Sequence, residues 1–283
     1  DVILESTNII IANKNKHKLI EDKISLFLKY FKWLVNMPGL CLHLSIGNSI
    51  INKTNHSAIK QSPGSFLLGT TAPDIRTITG QNRELTHFFN LAILEPQYPI
   101  INLNKQYPNI LNILQSDSSA SSFIAGYITH LISDQRYIKL IYRKYFFSND
   151  FINNLKNNLY DRTLQYELDR IVRSDNQFYS KSIELINNDV HNYNLPFIND
   201  FELSEWNIIM QNIISQPASF DRYPRMMMSH LTKLGYAFEH ISEHLGNANK
   251  IIEESMNIVG NEFIKIFIDD TVDECIKLIE ELA

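Results

Sequence analysis

The sequence predicts an all-α protein, and three observations carry that prediction. Apolar residues recur at helical spacing through nearly every ordered-looking stretch. No alternating apolar and polar run bounded by a hairpin turn occurs in it. Prolines and glycines, which interrupt helices, crowd into one interval, residues 61–118.

Taken in order, HKLIEDKISLFLKYFKWLV sets Leu19, Ile20, Ile24, Leu26, Phe27, Phe31 and Leu34 on a broad apolar face. Its Trp33 and lysines suit a helix docked on the core, or one resting on a bilayer. LCLHLSIGNSIIN keeps helical spacing after the Met37-Pro38-Gly39 break, where proline fits a first turn. Across 61–118, Pro63, Gly64, Gly69, Pro73, Gly80, Pro96, Pro99 and Pro108 allow long helices only in pieces. Further helices fit 119–146, 151–174, 176–189, 202–215, 224–246 and 248–282. No repeat or Gly/Ser linker divides the chain, so a single domain over 1–283 is expected. Segments rich in Asn, Ile and Lys, such as FINNLKNNLY, keep apolar residues at helical intervals, and an A/T-biased genome explains them more economically than function does.

The 283 residues are 44% hydrophobic and 20% charged, the balance of a folded chain with a real core. A net charge of −5 with dispersed Lys and Arg gives no reason to expect nucleic-acid binding. Cys41 and Cys275 make neither a disulfide framework nor a Cys-based zinc motif; two separate thiols are expected, with one long-range bridge left open. No apolar run is long enough for a transmembrane helix. The first residues lack the basic-then-apolar order of a secretion signal, which favours the cytoplasm, although a start at Asp1 rather than Met leaves a removed leader open.

Polar residues stand out where they interrupt apolar stretches. In FIAGYITHLISDQRY, His130 and Asp134 lie four apart and so share one helix face. That spacing suits two ligands of one metal ion, and equally a structural hydrogen-bonded pair. Asp74 follows Ala72-Pro73, where an acid often caps a helix or closes a turn. His87, between Thr86 and Phe88, and His43, on an apolar helix, each read alone as core histidines. Together the five are more telling. Burying such groups unpaired costs roughly 1–3 kcal/mol each, and more for carboxylates. Divalent cations would satisfy three imidazoles and two carboxylates at once. Ligands of His and Asp without Cys suit zinc, and also manganese or iron. With one carboxylate bridging, five ligands fit a two-ion cluster.

The ordered segments CLHLSIG, FLLGTTAPD, RELTHFF and FIAGYITHLISD resemble the zinc-dependent phospholipase C family, whose wider all-helical fold includes the P1-type nucleases. The resemblance spans about residues 37–146. It implies that His43, Asp74, His87, His130 and Asp134 are metal ligands, with Asp134 bridging two zinc ions. There are two departures. The family's N-terminal amine is a ligand, yet 42 residues precede His43; and a third zinc needs a histidine where this chain has Leu140. The later SHLTKLGYAFEHISEHL offers His230, His240, Glu243 and His244, read as a solvated face in preference to a third site. Glu167 and Asp169, two apart, point to different sides of a helix; Asp169 beside Arg170 is a pocket candidate, with surface ion pairing the plainer reading. Met226, Met227 and Met228 suit core packing or an adaptable apolar wall.

The resulting expectation is a metal-dependent hydrolase acting on a small-molecule or lipid-like phosphoester. Two zinc ions would clamp the phosphate and activate water. Asp74 would orient or deprotonate that water, and Arg76 and Arg83 would neutralise substrate charge, unless they are simply solvated. Three rivals stand beside it: a hydrolase of a non-phosphate ester or amide, a helical diiron-type oxidase, and a helical binding protein without catalysis. The oxidase would call for paired Glu-x-x-His motifs, which are not supplied twice.

Overall fold

The computed structural model describes residues 39–91, 93–148, 151–187, 193–216, 222–233 and 235–283. The amphipathic N-terminal stretch containing Leu19, Trp33 and Leu34 lies outside them. The protein is all-α, with no strand among the described residues. Helices α1 (Leu40–Lys53), α2 (Ser57–Gln61) and α3 (Pro63–Gly69) lead through a 3₁₀ turn at Ala72–Ile75 to α4 (Arg76–Thr79) and α5 (Arg83–His87). After α6 (Pro99–Gln106) and a second 3₁₀ turn (Ile110–Gln115) comes α7 (Ser119–Tyr137), which runs into a π-helical stretch, Ile138–Phe146. The second half holds α8 (Phe151–Arg173), α9 (Asn176–Asn187), α10 (Asp200–Ile214), α11 (Arg222–Lys233), α12 (Phe238–Gly246), α13 (Ala248–Val259) and α14 (Asn261–Leu282).

The interval 61–118 is cut into short helices as its composition predicts. Pro63 and Pro99 stand in the first turns of α3 and α6, where the missing N–H costs nothing. Gly80 closes α4 at φ +73°. Two long predicted helices are each divided. The expected 224–246 is α11 and α12, parted at Gly235 (φ +87°), and the expected 248–282 is α13 and α14, parted at Gly260 (φ +87°). Both glycines adopt a positive φ that no right-handed helix holds. The expected 119–146 is continuous, but its last third has widened to π geometry, with Phe147 N–H donating to the Tyr142 carbonyl at 2.9 Å.

The larger hydrophobic cluster joins α1, α3, α7, α10 and α14 around Leu44, Phe66, Phe123, Trp206 and Cys275, all fully buried. A second cluster joins α8, α11, α12 and α13 and includes Met226 and Met227, which are core residues. The tightest contact sets the position of α7. A Cβ on Gly126 would lie 2.1 Å from the Phe66 carbonyl oxygen, and one on Gly69 would lie 2.1 Å from that of Phe123. The backbones of α3 and α7 therefore touch through two glycines. This brings Thr70, just past α3, against His130 of α7.

Candidate metal centre

Four short pieces of chain supply the site. His43 comes from α1, Asp74 from the 3₁₀ turn, His87 from the last position of α5, and His130 and Asp134 from successive turns of α7. Phe88, directly after His87, adopts φ +59°, a conformation costly for a bulky residue, and so ends α5 at that point. The structure brings all five predicted side chains together. His43 Nε2 lies 3.3 Å from Asp134 Oδ1, while His87 Nε2 lies 3.4 Å from Asp134 Oδ2 and 3.6 Å from Asp74 Oδ1. His130 Nε2 is 3.7 Å from Asp134 Oδ2 and 3.3 Å from His87 Nε2. The His43 and His130 rings stack with centroids 3.9 Å apart.

The surroundings decide which nitrogens carry protons. His130 Nδ1 lies 2.8 Å from the Thr70 carbonyl, an acceptor, so Nδ1 is the protonated nitrogen and Nε2 presents its lone pair. His87 Nδ1 pairs with Thr86 Oγ1 at 2.9 Å, and that hydroxyl donates to the Arg83 carbonyl at 3.3 Å, which makes Nδ1 the donor here too. Burial holds His87 well below the usual imidazole range and lowers His130 to about 4, so both rings are neutral at pH 7. Burial pushes the Asp134 carboxyl up, but His130, Arg83 and His43 outweigh it and hold it well below the carboxylate range. Two imidazole lone pairs and two carboxylates thus converge, with the Arg83 guanidinium on Asp134 as their charged donor. Acceptors packed in this way fit a cation. The outer hydrogen bonds that His130 and His87 donate to Thr70 and Thr86 are of the kind that fix ligand histidines.

The donor atoms form two triads, His43–His130–Asp134 and Asp74–His87–His130, each within 4.8 Å. His130 belongs to both but has one free nitrogen, so it can serve a single ion. Asp134 has two oxygens, one toward His43 and the other toward His87 and His130.

A cavity of about 410 Å³ opens on His43, Asp74 and Asp134. Arg76 and Arg83 both line it, as do Arg162 of α8 and Arg143. Asp161, also on α8, was not singled out from the sequence. It lies in the cavity wall, accepting hydrogen bonds from Tyr137 Oη (2.8 Å) and Gln165 Nε2 (2.7 Å). Burial raises its pKa. The only sequence signal was its place four residues before Gln165 on one helix face. Asp169 corrects an expectation. It does not line the cavity but accepts from the Cys41 and Leu42 N–H groups (2.7 and 3.2 Å), capping the start of α1 two residues before His43. Glu167, not Asp169, pairs with Arg170, through two bonds of 2.7 Å. His240 and Glu243 are exposed and join neither triad, and Leu140 packs against the core; His230 reaches the cavity wall.

No curated protein and no solved structure matches the chain. Residues 42–135, about a third of the sequence, match the family described as zinc dependent phospholipase C, and with all five converging side chains inside that segment, the match supports a zinc-dependent phospholipase C family for this chain.

Proposed function

We propose that this chain is a metal-dependent hydrolase of phosphate esters, with a phosphodiester of the phospholipid type as substrate. The observation that carries the proposal is the convergence of neutral imidazole lone pairs and carboxylates at the head of an arginine-lined cavity. Asp74, His87, His130 and one oxygen of Asp134 would hold the first ion. His43 and the other oxygen of Asp134 would hold the second, which would have fewer protein ligands and would bind more weakly. Zinc bound there supplies Lewis-acid polarisation of a phosphoryl oxygen and makes water more acidic.

The remaining roles belong to the chain. The Asp74 oxygen not turned toward His87 orients the attacking water and accepts its proton. Arg76 and Arg83 bind the non-bridging phosphate oxygens and offset the charge that grows on them. Thr70 and Thr86 keep His130 and His87 in the tautomers that face the site. The test is a panel of phosphodiesters, phosphomonoesters, carboxylic esters and amides, run with zinc-loaded protein, chelated protein and His130→Ala. Zinc-dependent cleavage of a phosphodiester that is lost in the variant is expected. Full cleavage by the variant, or cleavage of the carboxylic esters alone, contradicts the proposal.

A further inference from the structure

The cavity has two kinds of wall. The lining as a whole carries four arginines, Arg76, Arg83 and Arg162 within and Arg143 toward the mouth, against three carboxyls, Asp74, Asp134 and Asp161. Two of those carboxyls face the imidazoles. The third has both oxygens engaged by Tyr137 and Gln165. The buried Nε atoms of Arg76 and Arg83 have no hydrogen-bond partner, and Arg162 donates to a neutral amide, Gln165 Oε1, at 3.3 Å. The lining as a whole is thus positive by one charge, and would be by five with two divalent ions in place.

The mouth is different. Leu91, Leu94 and Phe147 line the same cavity yet are 51%, 50% and 37% exposed, with Ile93 beside them at 43%. Arg143 donates to the carbonyls of Ile93 and Leu94 at 2.8 Å and so holds this apolar rim next to a fixed positive charge. A rim of large apolar side chains around a cationic pocket is not explained by core packing. It matches an amphiphile with an anionic head, whose phosphate enters the pocket and whose acyl chains lie on the rim.

Resting on the phosphodiesterase reading above, we infer that the substrate is a phospholipid with a net negative headgroup, taken from a membrane surface, in preference to a zwitterionic choline lipid. Recognition of a quaternary ammonium calls for aromatic faces with negative charge nearby. Tyr137, Tyr142 and Phe147 supply aromatic surface here, but the one carboxyl beside them, Asp161, shares that wall with the guanidinium groups of Arg162 and Arg143, whose charges offset it.

The test is vesicle flotation of the full chain, with and without zinc, on phosphatidylcholine vesicles and on vesicles containing a quarter phosphatidylglycerol. Binding to the anionic vesicles should be at least about tenfold tighter, and Arg76→Gln with Arg162→Gln should weaken it about thirtyfold, a clearly larger loss than on the choline vesicles, so that the preference between the two narrows. Arg76→Lys should keep the preference, which guards against misfolding as the cause of a loss. Phe147→Asp with Leu94→Asp should abolish flotation on both. Equal binding to the two vesicle types, indifference to the arginine pair, or binding of soluble glycerol phosphate without vesicles overturns the inference. Flotation is read apart from turnover: anionic preference without hydrolysis removes the hydrolase reading alone, and hydrolysis of phosphatidylcholine at an equal rate removes this inference alone.

Discussion

Replacing Gly126 with alanine should destabilise the protein, and the sign is informative. Within a helix, alanine is normally better than glycine by about 1 kcal/mol. Here the new methyl would lie 2.1 Å from the Phe66 carbonyl oxygen, 2.9 Å from the Thr70 N–H nitrogen and 3.0 Å from Gly69 Cα. All three obstacles are backbone atoms, so no side chain can turn aside. Helices α3 and α7 must separate by about 1 Å to reach ordinary contact, and overpacking of this kind costs about 3 kcal/mol or more. For a chain of this size, that lowers the melting temperature by roughly 6–12 °C. The movement also stretches the 2.8 Å contact between His130 Nδ1 and the Thr70 carbonyl, so zinc affinity should fall by about tenfold or more. The assay is thermal melting of chelated protein, followed by competitive zinc titration, with Gly246→Ala as a control because nothing lies within 4 Å of its added methyl. A Gly126→Ala protein that melts at or above the wild type would refute the helix contact and its role in placing His130.

Other outcomes follow from the same geometry. Asp169→Ala leaves the Cys41 and Leu42 N–H groups without their acceptor and should cost about 1–3 kcal/mol in urea unfolding, whereas Asp169→Asn keeps a carbonyl oxygen in place and should cost far less; equal losses would contradict the capping role. His43→Ala should remove the weaker zinc and keep the tighter one, since Asp74, His87 and His130 stand without it; isothermal titration resolves the two steps, and loss of both would argue against separate ions. Burial pushes the Cys275 thiol up to about 12, so between its unfolded value near 9 and that point the unfolded chain gives up a proton that the native chain keeps. Stability should therefore fall as pH rises across this window, by up to about 1.4 kcal/mol per unit from this group. Cys275→Ala should show a shallower pH dependence in urea unfolding; an unchanged slope would contradict it.

Much of the site was legible because its residues are local exceptions to their surroundings. His130 lies within a stretch buried from Ser121 to Ser133, Asp134 follows at its end, and helical periodicity alone puts both on one face. Gly126 and the Phe88 turn lay inside the same recognisable segments, although their reasons, a backbone contact and a left-handed stop, emerge only in three dimensions. The misreadings came where a residue's partner is distant in sequence. Asp169 looks like one charge among many in YELDRIVR, and nothing near it reveals that its carboxylate meets the start of α1 some 127 residues away. Asp161 is masked in the same way by Arg162 beside it. Helix boundaries failed for a simpler reason: Gly235 and Gly260 sit inside runs of helical periodicity, and only their positive φ shows them to be breaks.

The most direct measurement is the zinc content of chelator-free protein beside that of His130→Ala, by elemental mass spectrometry. Two ions per chain, one retained tightly and one lost on dialysis, are expected for the wild type, with the tight ion missing from the variant. Wild-type protein that takes up no divalent metal, or a variant that retains the full complement, would contradict a shared metal centre at His43, Asp74, His87, His130 and Asp134.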